Sequence, residues 1–586
     1  MSTSNNLLNV AVLTVLCGIL LFVGLDSMGL TDRDEGRNAE AGREMLETGD
    51  WITPTFNYEP RFYKPALLYW LMSGSYRLFG VNEFAARFPS ALFGAALILL
   101  QYWFLARWRD QQVGLFGALM LLLNIEMIGL SRMALTDSVL VFFTTAAQFG
   151  FWEGFHGKGP TRHWLWCFYA GMAFATLTKG PVGFIIPLVT MCLYLSLTGR
   201  WKQYWHRGFP LLGAALFVLL ALPWYAAMLA IHGSNYVTIA KAQTVGRFMA
   251  PMEGHGFGLL FYLPVLLLGF FPWSGLLPAA LYDSFKTWRA SQAVSSGSSS
   301  RLAALSATPE ASELELFATG WVIGAFVFFT LSSTRLQHYI APLFPAAALL
   351  TAAYWHRGLL GSATRGLRAS IHLMMGLGLL LALGFSSIPW IYARLLPEML
   401  KEFPAAGLLD PSALDAGPYV VALVLFIGMA LVGYFGLHQE RRAGAFWAAG
   451  ASVAIVGLVA IRLTFPLFNR YFIAPPQELA YVAGVNLGPA DHFVVYGATR
   501  PSTAFYSKHR VVFVPSGEEE NIRATLARSG RTMVLLPESY YKTLPEEGNQ
   551  LVPLLKRYGY LLLANQPIVT LPQGTPASSA TRIPGH

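Results

Sequence analysis

Apolar runs recur along the chain near residues 7–25, 84–106, 112–129, 133–152, 164–179, 181–198, 209–231, 257–282, 315–331, 337–355, 370–392, 417–437 and 444–465. Each is close to the roughly 20 residues that a helix needs to cross a bilayer, so the pattern predicts a polytopic α-helical membrane protein with about thirteen spans. Between the runs the basic residues alternate. The segments after the second, fourth, sixth, eighth, tenth and twelfth runs hold Arg107 and Arg109; Lys158 and Arg162; Arg200, Lys202 and Arg207; Lys286, Arg289 and Arg301; Arg357, Arg365 and Arg368; Arg441 and Arg442. Cytoplasmic loops collect Lys and Arg, which puts the N-terminus inside and the C-terminus outside.

The most polar interruption, Leu30 to Trp70, lies between the first two runs and carries Asp34, Glu35 and Lys64. Within this outer loop, residues 26–82, helical spacing runs from Asp34 to Leu46 and ends before Gly49, a residue suited to the left-handed position after a helix. Pro65 to Phe79 is a second amphipathic stretch with interfacial aromatics, and both read as helices lying on the membrane surface. The same side gathers Asp137, Lys179, the 231–256 loop with Arg247 and His255, and the 332–338 segment with Arg335. Polar chemistry therefore concentrates on one face.

After Phe468 the periodicity shortens. Strands are predicted at His492–Tyr496, Val511–Val514, Thr532–Leu536 and Gly559–Leu563, with helical stretches at Glu518–Ala527 and Leu544–Arg557. The chain thus divides into a membrane domain over 1–467, an outer α/β domain over 468–571, and a disordered tail over 572–586 rich in Pro, Ser, Thr and Ala. Inside the membrane domain, residues 283–313 with the run SQAVSSGSSS form a flexible cytoplasmic linker.

Composition agrees: 54% of residues are hydrophobic and 12% charged, against about 25% charged in soluble domains. The net charge of +9 falls in the short loops, where membrane orientation explains it and nucleic acid is not implied. Cys17, Cys167 and Cys192 all lie in apolar runs, without metal-ligand spacing or a disulfide framework. Met1 to Asn9 has no Lys or Arg, so the first run reads as a membrane span and not a cleaved signal. Walker, Gly-x-Ser-x-Gly and His-Glu-x-x-His motifs are missing from the sequence. Nucleotide donors are therefore disfavoured, and a donor delivered through the membrane takes their place.

The first loop supplies a resemblance. Asp34-Glu35 with Arg37, Arg43-Glu44-Met45-Leu46, Gly49-Asp50-Trp51-Ile52, Pro54, Lys64-Pro65 and Tyr69-Trp70 resemble the first periplasmic loop of the lipid A aminoarabinose transferases. These belong with the protein O-mannosyltransferases among the polyprenyl-phosphate-sugar-dependent enzymes of the GT-C glycosyltransferase fold. The resemblance implies an inverting transferase of the bacterial inner membrane, with an undecaprenyl-phosphate sugar as donor and lipid A as acceptor. Protein or another envelope glycan is the alternative acceptor. It implies Asp34 as the catalytic aspartate, Asp137 as the second acid with Glu35 beside them, and Lys64, Arg247, Arg335 and Tyr339 around the donor phosphate. Tyr63, His255 and His338 are supporting candidates. The chain departs from the family where Phe-Glu-Lys-Pro becomes Phe62-Tyr63-Lys64-Pro65 and Ser-Lys-Leu-Pro becomes Thr334-Arg335-Leu336-Gln337. The first change removes a carboxylate that a divalent metal could use, so no cofactor is required by the sequence and a metal is left open.

The chemistry fits these residue types. A departing phosphate monoester, with a second pKa near about 6, needs cations more than a strong acid, and Lys or Arg supply them. A carboxylate can orient or deprotonate the acceptor, and displacement from the opposite face inverts the anomeric carbon. Each residue also has a plain structural reading. Asp34 can cap a helix and pair with Arg37 or Arg43; Lys64 can anchor at the interface; Asp137 can cap its helix. Arg247 and Arg335 can meet lipid headgroups, and Tyr339 can be an interfacial aromatic. A lipid or small-molecule transporter is the competing class, but the charges gather at one surface and no internal repeat is visible, unlike the midplane sites of many transporters.

Overall fold

Residues 3–157, 161–251, 256–295, 309–361, 364–409, 411–526, 530–544 and 551–566 are described in the computed structural model. Residues 296–308 of the predicted linker, the tail and His255 lie outside these residues, while the ends of that linker, 283–295 and 309–313, are helical and not the flexible segment expected. Among the described residues, seven helices are long and apolar enough to cross a membrane, and a bent pair makes an eighth. The chain is a multi-pass membrane protein.

The remaining predicted spans show why apolar runs and helices do not correspond one to one. The run 112–129 becomes α5 (Gln111–Leu122) and α6 (Ile125–Ser131), bent by 67°, because the Asn124 side chain accepts the Met127 N–H and starts a new helix. The runs 164–179 and 181–198 are helices of 16 and 17 residues, separated at Gly180, whose φ of +79° suits a residue without a Cβ. The run 257–282 divides into Tyr262–Gly269 and Leu277–Ser295. Thirteen remains the expectation of the sequence.

The preceding helices, in chain order, are α1 (Thr3–Cys17), α2 (Asp34–Thr48), α3 (Leu67–Phe79) and α4 (Glu83–Trp108). Two carboxylates in the first turn of α2 favour its positive end, and Gly49 at φ +72° closes it, its N–H bonding the Met45 carbonyl. α2 is enclosed, in contrast to the surface helix expected. Its residues Glu35, Asn38, Glu40, Arg43 and Glu44 are all buried, and it packs on α3 and on the Ser502–Ser507 helix of the C-terminal region. Gly42 permits the first approach, since a Cβ there would stand 2.9 Å from that of Met72.

The first loop carries a short antiparallel pair, β1 (Thr55–Phe56) and β2 (Glu59–Pro60), and in the C-terminal region β3 (His492–Tyr496) pairs in parallel with β4 (Val511–Val514) and β5 (Thr532–Pro537), while β7 (Tyr560–Ala564) pairs antiparallel with β5 and with β6 (Val552–Arg557). The helix expected through Arg557 is therefore wrong over β6. Tyr558 and Gly559 both have positive φ, 41° and 78°, and form the two-residue loop that sets Arg557 opposite Tyr560.

The sheet region grips the first loop. Gln477 donates to the Leu30 carbonyl at 2.6 Å, the Leu30 N–H donates to the Tyr506 hydroxyl at 3.0 Å, and Asp32 accepts both the N–H and the hydroxyl of Ser502, at 2.7 and 2.9 Å. At the other end of the bundle, Glu315 binds Arg109 and Arg357, and Glu313 binds Arg200. Basic residues from three of the predicted cytoplasmic segments thus meet at one end.

Candidate functional site

Asp34 is the first residue of α2 and is exposed, with no hydrogen bond or ion pair among the described residues. Arg33, not Asp34, occupies the cap position, and Arg43 is taken by Glu40 at 2.7 Å and Glu47 at 2.5 Å. The capping and Arg43-pairing alternatives therefore do not describe it. Its carboxylate is free to meet a ligand.

Glu35, grouped with it as catalytic, is instead saturated. Its two oxygens accept from Arg87 at 2.9 and 3.0 Å, from the Ala134 N–H at 2.7 Å, and from the N–H and hydroxyl of Thr31 at 2.9 and 2.7 Å. Burial alone would raise its pKa, but the Arg87 charge and these hydrogen bonds outweigh it and hold the carboxyl below the usual range. Arg87 also donates to the carbonyls of Leu25, Met28 and Gly29. This clamp ties the start of α2 to α4 and to the segment before α7 (Asp137–His156), fixing where Asp34 stands. Both Glu35 oxygens are committed to this clamp.

Asp137, buried in the first turn of α7, accepts from Lys179 at 2.6 Å. Lys179 ends α8 (Trp164–Lys179), and its ammonium lies 4.6 Å from the Tyr339 ring centroid. The Tyr339 hydroxyl accepts from Arg247 at 3.2 Å, and Arg247 also donates to Gln243 at 2.8 Å. Lys64, half-buried in the loop before α3, makes no hydrogen bond among the described residues. Burial and the neighbouring Lys179 push its ammonium down to about 8, against the pull of Asp34 and Asp137, with Arg247 a further cation close by. His338 has Asp137, Lys179, Lys64 and Asp34 as its own charged neighbours.

The structure therefore brings together Asp34, Lys64, Asp137, Arg247, His338 and Tyr339. It adds Lys179, which the sequence placed on the right face without giving it a part; its only signal was a lone Lys closing an apolar run. Arg335 does not join them, because its guanidinium donates to the Phe257 and Thr330 carbonyls and so braces a helix end. Tyr63 is exposed, its ring 6.0 Å from the Arg61 guanidinium. Among the described residues no three of His, Cys, Asp and Glu come together as metal ligands.

Lys64 gives this cluster a pH signature. Its cationic form prevails below about 8 and is lost as pH rises through that value. If it meets a phosphate, kcat/KM, which reports free-enzyme groups, falls above about pH 8. Lys64→Arg, with a side-chain pKa above about 12, moves that fall upward. A wild-type profile that stays flat to about pH 10, close to the ordinary lysine value, would remove Lys64 from the phosphate site.

The family model for dolichyl-phosphate-mannose-protein mannosyltransferase matches residues 32–237, the stretch holding Asp34, Lys64, Asp137 and Lys179. The undecaprenyl phosphate-alpha-4-amino-4-deoxy-L-arabinose arabinosyl transferase of Aeromonas hydrophila is 30% identical over 445 residues, 74% of this chain and 73% of that one. Its namesake from Edwardsiella ictaluri is 29% identical over 458 residues, 77% of this chain and 76% of that one. Among solved structures, ArnT from Cupriavidus metallidurans bound to undecaprenyl phosphate superposes with a TM-score of 0.73 at 22% identity, covering 98% of this chain and 100% of that one. The fold is shared over nearly all of both chains.

Proposed function

Since the chain belongs to the family of undecaprenyl phosphate-alpha-4-amino-4-deoxy-L-arabinose arabinosyl transferases, we propose that it moves aminoarabinose from undecaprenyl phosphate to lipid A. The reaction takes place on the periplasmic face of the bacterial inner membrane, with the N-terminus cytoplasmic and the sheet domain periplasmic. The observation that carries this reading is the free carboxylate of Asp34 set beside Lys64, Lys179 and Arg247, at the end of the bundle away from the Glu313 and Glu315 ion pairs.

In the proposed step the cations hold the donor phosphate and stabilise the charge it gains as the glycosidic bond breaks. Asp34 orients the acceptor phosphate or hydroxyl and takes its proton, while the new bond forms from the opposite face with inversion. Asp137 holds Lys179 at this place through their 2.6 Å contact. A phosphate leaving group lowers the need for a general acid. This suits a cluster whose cations outnumber its carboxylates.

The test is reconstitution of the purified chain in liposomes with undecaprenyl phosphate-aminoarabinose and lipid A, followed by mass spectrometry. The expected result is lipid A heavier by one aminoarabinose. Sugar appearing on protein or another glycan while lipid A stays unmodified would replace the acceptor, and an intact donor with every acceptor would reject the reading.

A further inference from the structure

Glu126, in the first turn of α6 just past the bend from α5, is a half-buried acid that the proposed step does not use. Its carboxyl faces Gly269, where a Cβ would lie 2.2 Å from Oε2, with the Phe344 ring beyond. No hydrogen bond or ion pair reaches it among the described residues, and Oε1 is sealed from solvent. Three acids buried in the membrane helices are ion-paired: Asp137 with Lys179, Glu153 with Arg107, Glu315 with Arg109 and Arg357. An unpaired carboxylate in apolar surroundings costs several kcal/mol. Ionisable groups at membrane depth mark ligand paths.

Its polar surroundings point toward the site. Asp137 is its charged neighbour. Tyr262, fully buried, is another electrostatic neighbour, its hydroxyl set against the Leu336 backbone. α6 packs on α7, on the Tyr262–Gly269 helix and on the 3-10 turn Gln337–Leu343 that carries His338 and Tyr339. A carboxyl that no cation pairs among the described residues and the Tyr262 hydroxyl therefore lie on elements packed beside the reacting cluster.

We propose that Glu126, with Tyr262, forms the subsite for a protonated amine on the donor sugar, so that the substrate supplies the cation that the protein omits. The ligand class is a polyprenyl-phosphate sugar with a free primary amine. The inference rests on the transferase reading and adds to it a residue that selects the sugar.

The test uses the full chain in nanodiscs and measures equilibrium binding of undecaprenyl phosphate-aminoarabinose, of the same donor with its amine formylated, and of undecaprenyl phosphate alone. A charged hydrogen-bonded contact gives a preference of about 30-fold for the free amine in the wild type. Glu126→Gln, close to isosteric, reduces it to within about threefold, while sugar-free undecaprenyl phosphate binds both proteins equally. Glu126→Leu is the second variant, expected to behave in the same way and free of a new polar group. Retention of the full preference in both variants, no preference in the wild type, or equal weakening of all three ligands would overturn the proposal. Because the readout is binding, a chain that prefers the amine yet transfers no sugar keeps the subsite and loses the reaction. One that transfers sugar without preference does the reverse.

Discussion

Asp34→Asn lowers sugar transfer at least ~10³-fold, measured as donor consumption in proteoliposomes, while the protein keeps its thermal stability. The size follows from removing both a proton acceptor and a fixed negative charge at the reacting centre, effects worth about 10²–10⁴-fold and 10²–10³-fold in other enzymes. Stability is spared because Asp34 is exposed and bonded to nothing among the described residues, so Asn leaves no partner stranded. Substituting Glu35, one residue on, has the opposite profile. Comparison of these adjacent variants separates chemistry from scaffolding. Turnover of Asp34→Asn within about tenfold of wild type, less than the loss of one general base, would sink the role assigned to it.

Arg87→Ala destabilises the chain by about 3–5 kcal/mol, the usual cost of leaving one member of a buried ion pair uncompensated. The loss includes the hydrogen bonds to the Leu25, Met28 and Gly29 carbonyls, which hold the segment leading into α2. Unfolding followed by thermal aggregation in detergent reads this directly. A double-mutant cycle with Glu35→Gln isolates the pair itself. Because Glu35 is held below the ordinary carboxylate range, its contribution is complete above its unfolded value and is lost as pH falls through the folded one. If Arg87→Ala melts with the wild type, the clamp is not what places Asp34.

The parts legible in the sequence were those where charge stands out against an apolar background. Asp34 and Lys64 could be seen because neutral spans flank their loop, and Gly49 because a helix end needs a left-handed residue. The strands from His492 to Leu536, and the last one expected over Gly559–Leu563 and found over Tyr560–Ala564, also followed from local patterns. Pairings between distant residues could not be read. Glu35 and Arg87 are 52 positions apart, and Asp137 and Lys179 are 42 apart, so nothing local says which of two adjacent acids is committed and which is free. Arg335 looked like Arg247 in sequence, a basic residue near the outer end of a helix. Backbone carbonyls claimed the first, while Gln243 and Tyr339 hold the second beside the cluster. Glu126 was hidden inside the apolar run 112–129, which the sequence reads as one span and the structure bends at Asn124.

The most direct measurement is an experimental structure of this chain with undecaprenyl phosphate bound. The account predicts the phosphate within hydrogen-bonding distance of Lys64 and Arg247, close to Lys179 and Tyr339, with the Asp34 carboxylate facing the same space from the start of α2. A phosphate held elsewhere, with Lys64 and Arg247 unchanged by its binding, would contradict it.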